Sequence, residues 1–178
     1  MICKIYRKLG YKRKIHICRI NNGVHFNVQQ LSGVSLIKYK PNINRDWINL
    51  LNCTKDFGVW DENRLNREIL SILIKDHAYF AVVNNTLVSC LSICYQEQFK
   101  PYALLNYFVT LPKYRGRGIG SYLLMNAINE IFNEGYPGLY AITYYDSIQA
   151  RTLYKKLGFK YKRINRLQKI LLDALLYI

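Results

Sequence analysis

Gly116, Gly118 and Gly120, spaced at alternate positions, are the residues best placed to do chemistry in this 178-residue chain. Before them runs Leu104-Leu-Asn-Tyr-Phe-Val109, which reads as a strand. Pro112 ends that strand, because proline has no N–H to give to a ladder. After them Ile119, Leu123, Leu124, Ala127, Ile128, Ile131 and Phe132 recur at helical spacing. A strand, a glycine turn and a helix start are therefore predicted in that order. The first N–H groups of a helix lack internal acceptors and lie at the positive end of its dipole. Small residues let an anion come close to them, so Gly116 to Ser121 form a seat for a phosphate or pyrophosphate.

Three phosphate loops share such glycines. The nucleotide triphosphatase loop needs Gly-Lys-Ser/Thr, whereas Gly120 is followed by Ser121 and Tyr122. The dinucleotide fingerprint needs a third glycine where Ser121 stands. The pattern Arg/Gln-x-x-Gly-x-Gly/Ala is met by Arg115-Gly116-Arg117-Gly118-Ile119-Gly120. A second block follows, Ser147-Ile-Gln-Ala-Arg-Thr-Leu-Tyr-Lys-Lys-Leu-Gly-Phe159. With both blocks in this order, the chain from about Leu104 to Ile164 resembles the GNAT superfamily of N-acetyltransferases, and a looser likeness reaches back to about Leu31.

That resemblance implies an α/β (α+β) fold. Its sheet is mixed and mostly antiparallel, of six to seven strands, with helices on both faces and a splayed central parallel pair. It also implies acetyl-CoA as co-substrate. The pantetheine arm would pair with the backbone at Phe108, Val109 and Thr110, and an N–H near Val109 would polarise the thioester carbonyl. The pyrophosphate would lie against N–H groups from Gly116 to Ser121, in the run Arg115, Gly116, Arg117, Gly118, Ile119, Gly120 and Ser121. Tyr154 stands where the family places its tyrosine acid and would protonate the leaving thiolate. Ser147 replaces the asparagine often found there and is expected to bind the cofactor or cap a helix. A glutamate base that some relatives carry falls at Ile142, which cannot act as one. Glu97, Asp146, Tyr144 and His77 are the remaining candidates for the base. The implied reaction is direct attack of a primary amine of a small molecule or protein on the acetyl thioester. The alternatives are an amine on a nucleic-acid-linked substrate such as aminoacyl-tRNA, or a non-catalytic module that binds acetyl-CoA or another anion. Dimers are common in the superfamily, so a homodimer is a further expectation.

Composition sets outer bounds. Hydrophobic residues make up 51% and charged residues 21%, which excludes a disordered chain. No apolar run approaches the roughly 20 residues of a membrane span, and the start lacks the apolar core of a signal peptide. A cytoplasmic protein is the expectation. Cys3, Cys18, Cys53, Cys90 and Cys94 form no Cys-x-x-Cys, and His16, His25 and His77 form no ligand cluster. Reduced thiols and no metal site are expected, with Cys90 and Cys94 on one core-facing strand side. The net charge is +15. Residues 1–45 hold ten basic and no acidic residues, 151–178 hold eight and one, and 46–150 hold eight and ten. Basic ends fit an anionic partner. A composition rich in Lys, Ile, Asn and Tyr accounts for them as well, and is the favoured reading because no nucleic-acid motif accompanies the charge.

The elements that must position these residues follow from periodicity. Residues 1–30 form a basic extension, read as a hairpin of Lys14–Ile20 and Val24–Val28 around Asn22-Gly23. Residues 31–178 form the acetyltransferase-like domain. It runs as a strand at Val34–Tyr39, a helix at Arg45–Asn52, and a helix capped by Asp61 with Leu65, Ile69, Ile72 and Leu73 on one face. A hairpin of Ala78–Val83 and Leu87–Tyr95 precedes the central strand. A strand at Leu139–Tyr145, a helix capped by Ser147 and ended by Gly158, and a last strand within Leu171–Ile178 complete it. By analogy Trp47, Phe57 and Trp60 lie on the acceptor side or in the core.

Overall fold

The computed structural model describes residues 15–54, 57–144 and 146–162. Among the described residues the fold is mixed α+β, with four helices and a seven-stranded, mostly antiparallel sheet holding one parallel pair. In chain order the elements are β1 (Ile15–Asn21), β2 (Ser35–Lys38), α1 (Asn44–Cys53), α2 (Glu62–Glu68), β3 (Leu73–Val83) and β4 (Thr86–Cys94). Then come β5 (Ala103–Thr110), α3 (Ile119–Asn133), β6 (Gly138–Tyr144), α4 (Ile148–Lys156) and β7 (Lys160–Tyr161). Contacts divide the chain into two units, Asn21–Tyr140 and Met1–Ile20 with Ala141–Ile178.

In the larger unit the strands are ordered β2-β3-β4-β5, followed by the start of β6. β2 to β5 pair antiparallel throughout. The β3–β4 hairpin turns on Asn84 and Asn85, both left-handed at φ 48° and 58°. That pair of positive φ values is what a two-residue turn needs to match strand twist, and asparagine tolerates it. The α3 crossover after β5 is the long connection that a parallel neighbour requires.

Alternate residues of β3 and β4 serve opposite faces. Ala78, Phe80, Cys90 and Cys94 pack with Trp47, Leu50, Leu51 and Leu65 of α1 and α2. Trp47 is fully buried, its ring edge-on to Phe80 at 4.9 Å, so it is a core residue. Burial pushes the Cys90 and Cys94 thiols up to about 12, as expected for inert core cysteines. Helix α3 covers the other face with Leu123, Leu124, Ala127, Ile128 and Ile131, all fully buried.

Helix α2 is shorter than its apolar spacing predicts. It is capped by Asp61, whose carboxylate accepts from Arg64 N–H at 2.7 Å, but it ends at Glu68. Ile69 leaves helical geometry at φ −123°, and Leu73 already begins β3. Leu73 faces the sheet's demands, not the helix's.

In the smaller unit β1 pairs antiparallel with β7, Cys18 opposite Tyr161 and Arg19 opposite Lys160. The Cys18 thiol donates to Ala141 O of β6 at 3.6 Å, which sets the local order β6-β1-β7. The hairpin read from Asn22-Gly23 does not form. In the larger unit Asn129 of α3 holds the irregular segment after β1 instead, accepting from Phe26 N–H at 2.9 Å and donating to Phe26 O at 2.8 Å. A side-chain amide has the same donor and acceptor pair as a backbone unit, so it replaces a strand partner here. The strand expected within Leu171–Ile178 lies outside the described residues.

Candidate functional site

The glycine turn has the backbone that its spacing predicts. A short 3₁₀ turn, Pro112–Tyr114, ends β5. Gly116 and Gly118 then take left-handed φ values of 76° and 79°, and Gly118 is the N-cap of α3. Neither has any atom within 4 Å of where a Cβ would stand, so the requirement at both is the backbone conformation itself. Gly120 has the opposite requirement. A Cβ there would lie 3.1 Å from Thr110 Oγ1 and 3.2 Å from Phe108 Cζ. Its missing side chain lets the first turn of α3 close onto β5.

The result is a row of free donors. No side chain caps α3, and its first turn holds no acidic residue. The first helical bond at this end is Tyr122 N–H to Gly118 O at 2.9 Å. Among the described residues, the N–H groups of Gly116, Arg117, Gly118, Ile119, Gly120 and Ser121 meet no acceptor. Arg115 to Gly118 are exposed, and the side chains of Lys113 and Arg117 both approach the Tyr114 ring, at 5.1 and 5.4 Å. An exposed helix N-terminus of 15 residues, uncapped and flanked by cations, suits a multiply charged anion.

The end of β5 is set by polar side chains that composition alone did not flag. Ser89 of β4 is buried, donates to Val109 O at 2.7 Å and meets Thr110 Oγ1 at 2.8 Å. Arg115 Nε donates to Thr110 O at 2.9 Å, so this arginine braces the strand end beside the glycine turn. Leu111 N–H donates to Val88 O at 2.9 Å, and Val109 lies opposite Cys90 in the same phase. The Val109 amide is therefore directed at β4, and the Thr110 amide at the opposite edge. Two residues back, Tyr107 has φ 45°, and Tyr107 and Phe108 together oppose Leu91 alone. This bulge turns Tyr107 toward Trp60 and Phe57, with ring centroids 4.6 and 5.5 Å away. Its hydroxyl donates to Glu68 Oε2 at 2.8 Å.

The smaller unit carries the other two site residues on α4. Ser147 is the N-cap residue, but its hydroxyl caps nothing. At ψ 72° the residue lies outside the usual cap geometry, and only its backbone engages, through Tyr144 O at 3.0 Å and Arg151 N–H at 3.1 Å. The expected side-chain cap is thus absent. Tyr154 sits in the last turn, 5% exposed. Gly158 N–H donates to Lys155 O and Phe159 N–H to Tyr154 O, at 3.1 and 2.9 Å, with Gly158 at φ 89°. This is a Schellman stop, and its accompanying apolar contact is the Tyr154–Phe159 ring pair at 5.2 Å. Burial, and after it the Cys18 thiol, hold the Tyr154 proton well above the usual phenol range.

The sequence profile of the Acetyltransferase (GNAT) family matches residues 45–159, well over half of the chain. The chain belongs to the GNAT acetyltransferase family. No curated protein sequence matches it significantly. Solved GNAT structures share its fold. A GCN5-related N-acetyltransferase from Sphaerobacter thermophilus superimposes with TM-score 0.69 at 15% identity, over 90% of this chain and 53% of that one. The ribosomal-protein-S18-alanine N-acetyltransferase from Escherichia coli gives 0.63 at 18%, over 75% and 81%. The aminoglycoside N-acetyltransferase AAC(6')-Iy, solved in complex with CoA, gives 0.61 at 19%, over 78% and 95%. The chain thus spans about half the length of the Sphaerobacter relative.

Two of the candidates for the base, His77 and Glu97, lie away from the glycine turn. His77 is fully buried beside Glu134, at the far end of α3 from Gly118. A 15-residue helix separates them by about 20 Å. Glu97 lies before the start of β5, whereas Thr110 ends it. Tyr144 and Asp146 remain, on the segment that leads into α4.

Proposed function

We propose that this chain is an acetyl-CoA-dependent N-acetyltransferase acting on a primary amine. The observation that carries the reading is the row of acceptor-free N–H groups from Gly116 to Ser121 at the uncapped start of α3. Those amides would hold the cofactor's pyrophosphate, with Gly116 and Gly118 needed for their direction. The Thr110 amide and its neighbour Phe108 would align the pantetheine arm along β5, whereas Val109, expected to share that task and to polarise the thioester carbonyl, turns its backbone to β4 instead. Bound acetyl-CoA supplies the activated thioester carbonyl. The chain's own work is to orient it, to accept the amine, and to meet charge as it develops.

Tyr154 is assigned the acid's role, donating to the departing sulfur. Its tightly held proton keeps it in the donor form throughout the neutral range. Such a phenol serves first as a hydrogen-bond donor to an anion. Ser147 is assigned to the cofactor on motif position alone. The amine reaches the site protonated at neutral pH, so a base or water relay must remove a proton. Tyr144 and Asp146 are the groups to test for it.

The test is release of free thiol from acetyl-CoA by the purified full chain with a panel of primary amines, peptides and aminoacyl-tRNA. The proposal expects amine-dependent release with at least one acceptor class. If acetyl-CoA binds but no acceptor promotes release, the protein is a binding module and the catalytic reading is wrong.

A further inference from the structure

The geometry points to a divalent transition-metal site formed by His77, Glu130 and Glu134 at the C-terminal end of α3, remote from the glycine turn. One ligand atom from each of the three lies within 4.8 Å of the others. Glu130 and Glu134 are one helical turn apart, on the face turned toward β3. Carboxylates there meet the negative end of the helix dipole, which is adverse unless a cation neutralises them.

The decisive atom is His77 Nε2. It is completely buried and makes no hydrogen bond. It nevertheless lies 3.0 Å from Glu134 Oε1. The oxygen therefore stands well off the line along which a ring N–H would point. The other ring nitrogen, Nδ1, pairs with the Tyr79 hydroxyl. With the ring proton on Nδ1, donated to that hydroxyl, Nε2 turns its lone pair into the cluster, the form that binds metals. Two donors at about 2.1 Å from one ion must lie within about 4.2 Å of each other, and His77 Nε2 and Glu134 Oε1 at 3.0 Å meet that requirement.

The strand is bent to present this histidine. Ile74 to His77 are four residues opposite Ile93 alone, and Lys75 within them has φ 46°. Bulges of this kind re-aim side chains. One nitrogen and two carboxylates, with positions left for water, suit zinc, manganese or iron as divalent ions. Lys75 Nζ on Glu134 Oε2 at 3.2 Å and Lys38 Nζ on Glu130 now neutralise the acids, and Asp76 lies 3.7 Å from Lys38. Both lysines are partly exposed on long stems and can swing to solvent when an ion enters. The sequence alone hid this site, because its residues come from two elements 53 positions apart, between His77 and Glu130.

The test is a titration of chelator-treated full chain with cobalt(II), followed by visible absorption and thermal unfolding. One equivalent should bind with nitrogen and oxygen ligation, without the near-ultraviolet band of thiolate ligation, and should raise the unfolding temperature. Glu134→Gln should weaken binding at least about tenfold, and Lys75→Ala, which removes a competing cation, should tighten it. His77→Gln should abolish it. If that buried substitution unfolds the chain, the opposed effects of the other two decide. No binding at millimolar cobalt, a thiolate spectrum, or affinity unmoved in both Glu134→Gln and Lys75→Ala would overturn the proposal.

Discussion

Tyr154 and Phe159 are joined twice. The Phe159 N–H donates to Tyr154 O at 2.9 Å, and their rings pack with centroids 5.2 Å apart. The first link closes the helix stop that Gly158 makes possible, and the second is its apolar complement. The short motif Tyr-Lys-Lys-Leu-Gly-Phe thus fixes both the end of α4 and the orientation of its tyrosine. A residue held this way can present a hydroxyl reproducibly, as an acid must.

Tyr154→Phe separates that role from packing. It keeps the ring contact and the helix stop, so unfolding should move little. Turnover should fall by about 10² to 10⁴-fold, while acetyl-CoA affinity stays within about twofold. Because the folded phenol holds its proton above the usual range, the wild-type rate should show no loss assignable to Tyr154 up to about pH 10. Steady-state rates and calorimetric binding of both proteins check this. Unchanged turnover would remove Tyr154 from the mechanism.

Gly120→Ala tests the close approach of α3 to β5. Its Cβ would meet Thr110 Oγ1 and Phe108 Cζ at 3.1 and 3.2 Å. The expected cost is about 1–3 kcal/mol, read from urea unfolding, and Phe108→Leu in the same chain should restore part of it. Gly118→Ala meets open space, so its cost arises from φ 79° alone, about 1–2 kcal/mol. The Phe108 change should not rescue that variant. Equal rescue of both would mean that contact at Gly120 is not the constraint.

Much of this layout is legible in residue types. The glycines, Pro112, the helical spacing after Ile119 and Asp61's cap each act within a few residues, so local chemistry specifies them. The α1 helix, the β3–β4 hairpin and the stop at Gly158 follow for the same reason. Departures occur where distant partners decide. Asn129 captures the segment at Phe26 across a long loop, so the apparent strand after Gly23 has no strand to pair with. Leu73 joins β3 because Cys94 is its partner. Ser89, Tyr107 and Glu68 went unread because a serine, a tyrosine and a glutamate at those spacings carry no pattern. Their importance comes from a sheet register and a bulge.

Glu68 anchors α2 against that bulge. Burial opposes its charge, but hydrogen bonds from Arg64, Tyr107 and Arg67 outweigh burial and hold its carboxyl below the usual range. The stability it contributes is present above the unfolded value of about 4.3 and is lost as pH falls through the lower folded value. Glu68→Gln should therefore be less stable than wild type at pH 7, and the two should converge on acidification below about pH 4. Urea midpoints at pH 7 and pH 3 report this. A gap independent of pH would show that the charge at Glu68 contributes nothing.

The central claim is that the acceptor-free amides from Gly116 to Ser121 hold the diphosphate of a CoA thioester. Calorimetric titration of the folded chain with acetyl-CoA tests it most directly. Saturable binding at one equivalent is expected, competed by CoA and weakened by Gly118→Ala. A folded chain that gives no binding heat with acetyl-CoA or CoA at millimolar concentration would contradict it.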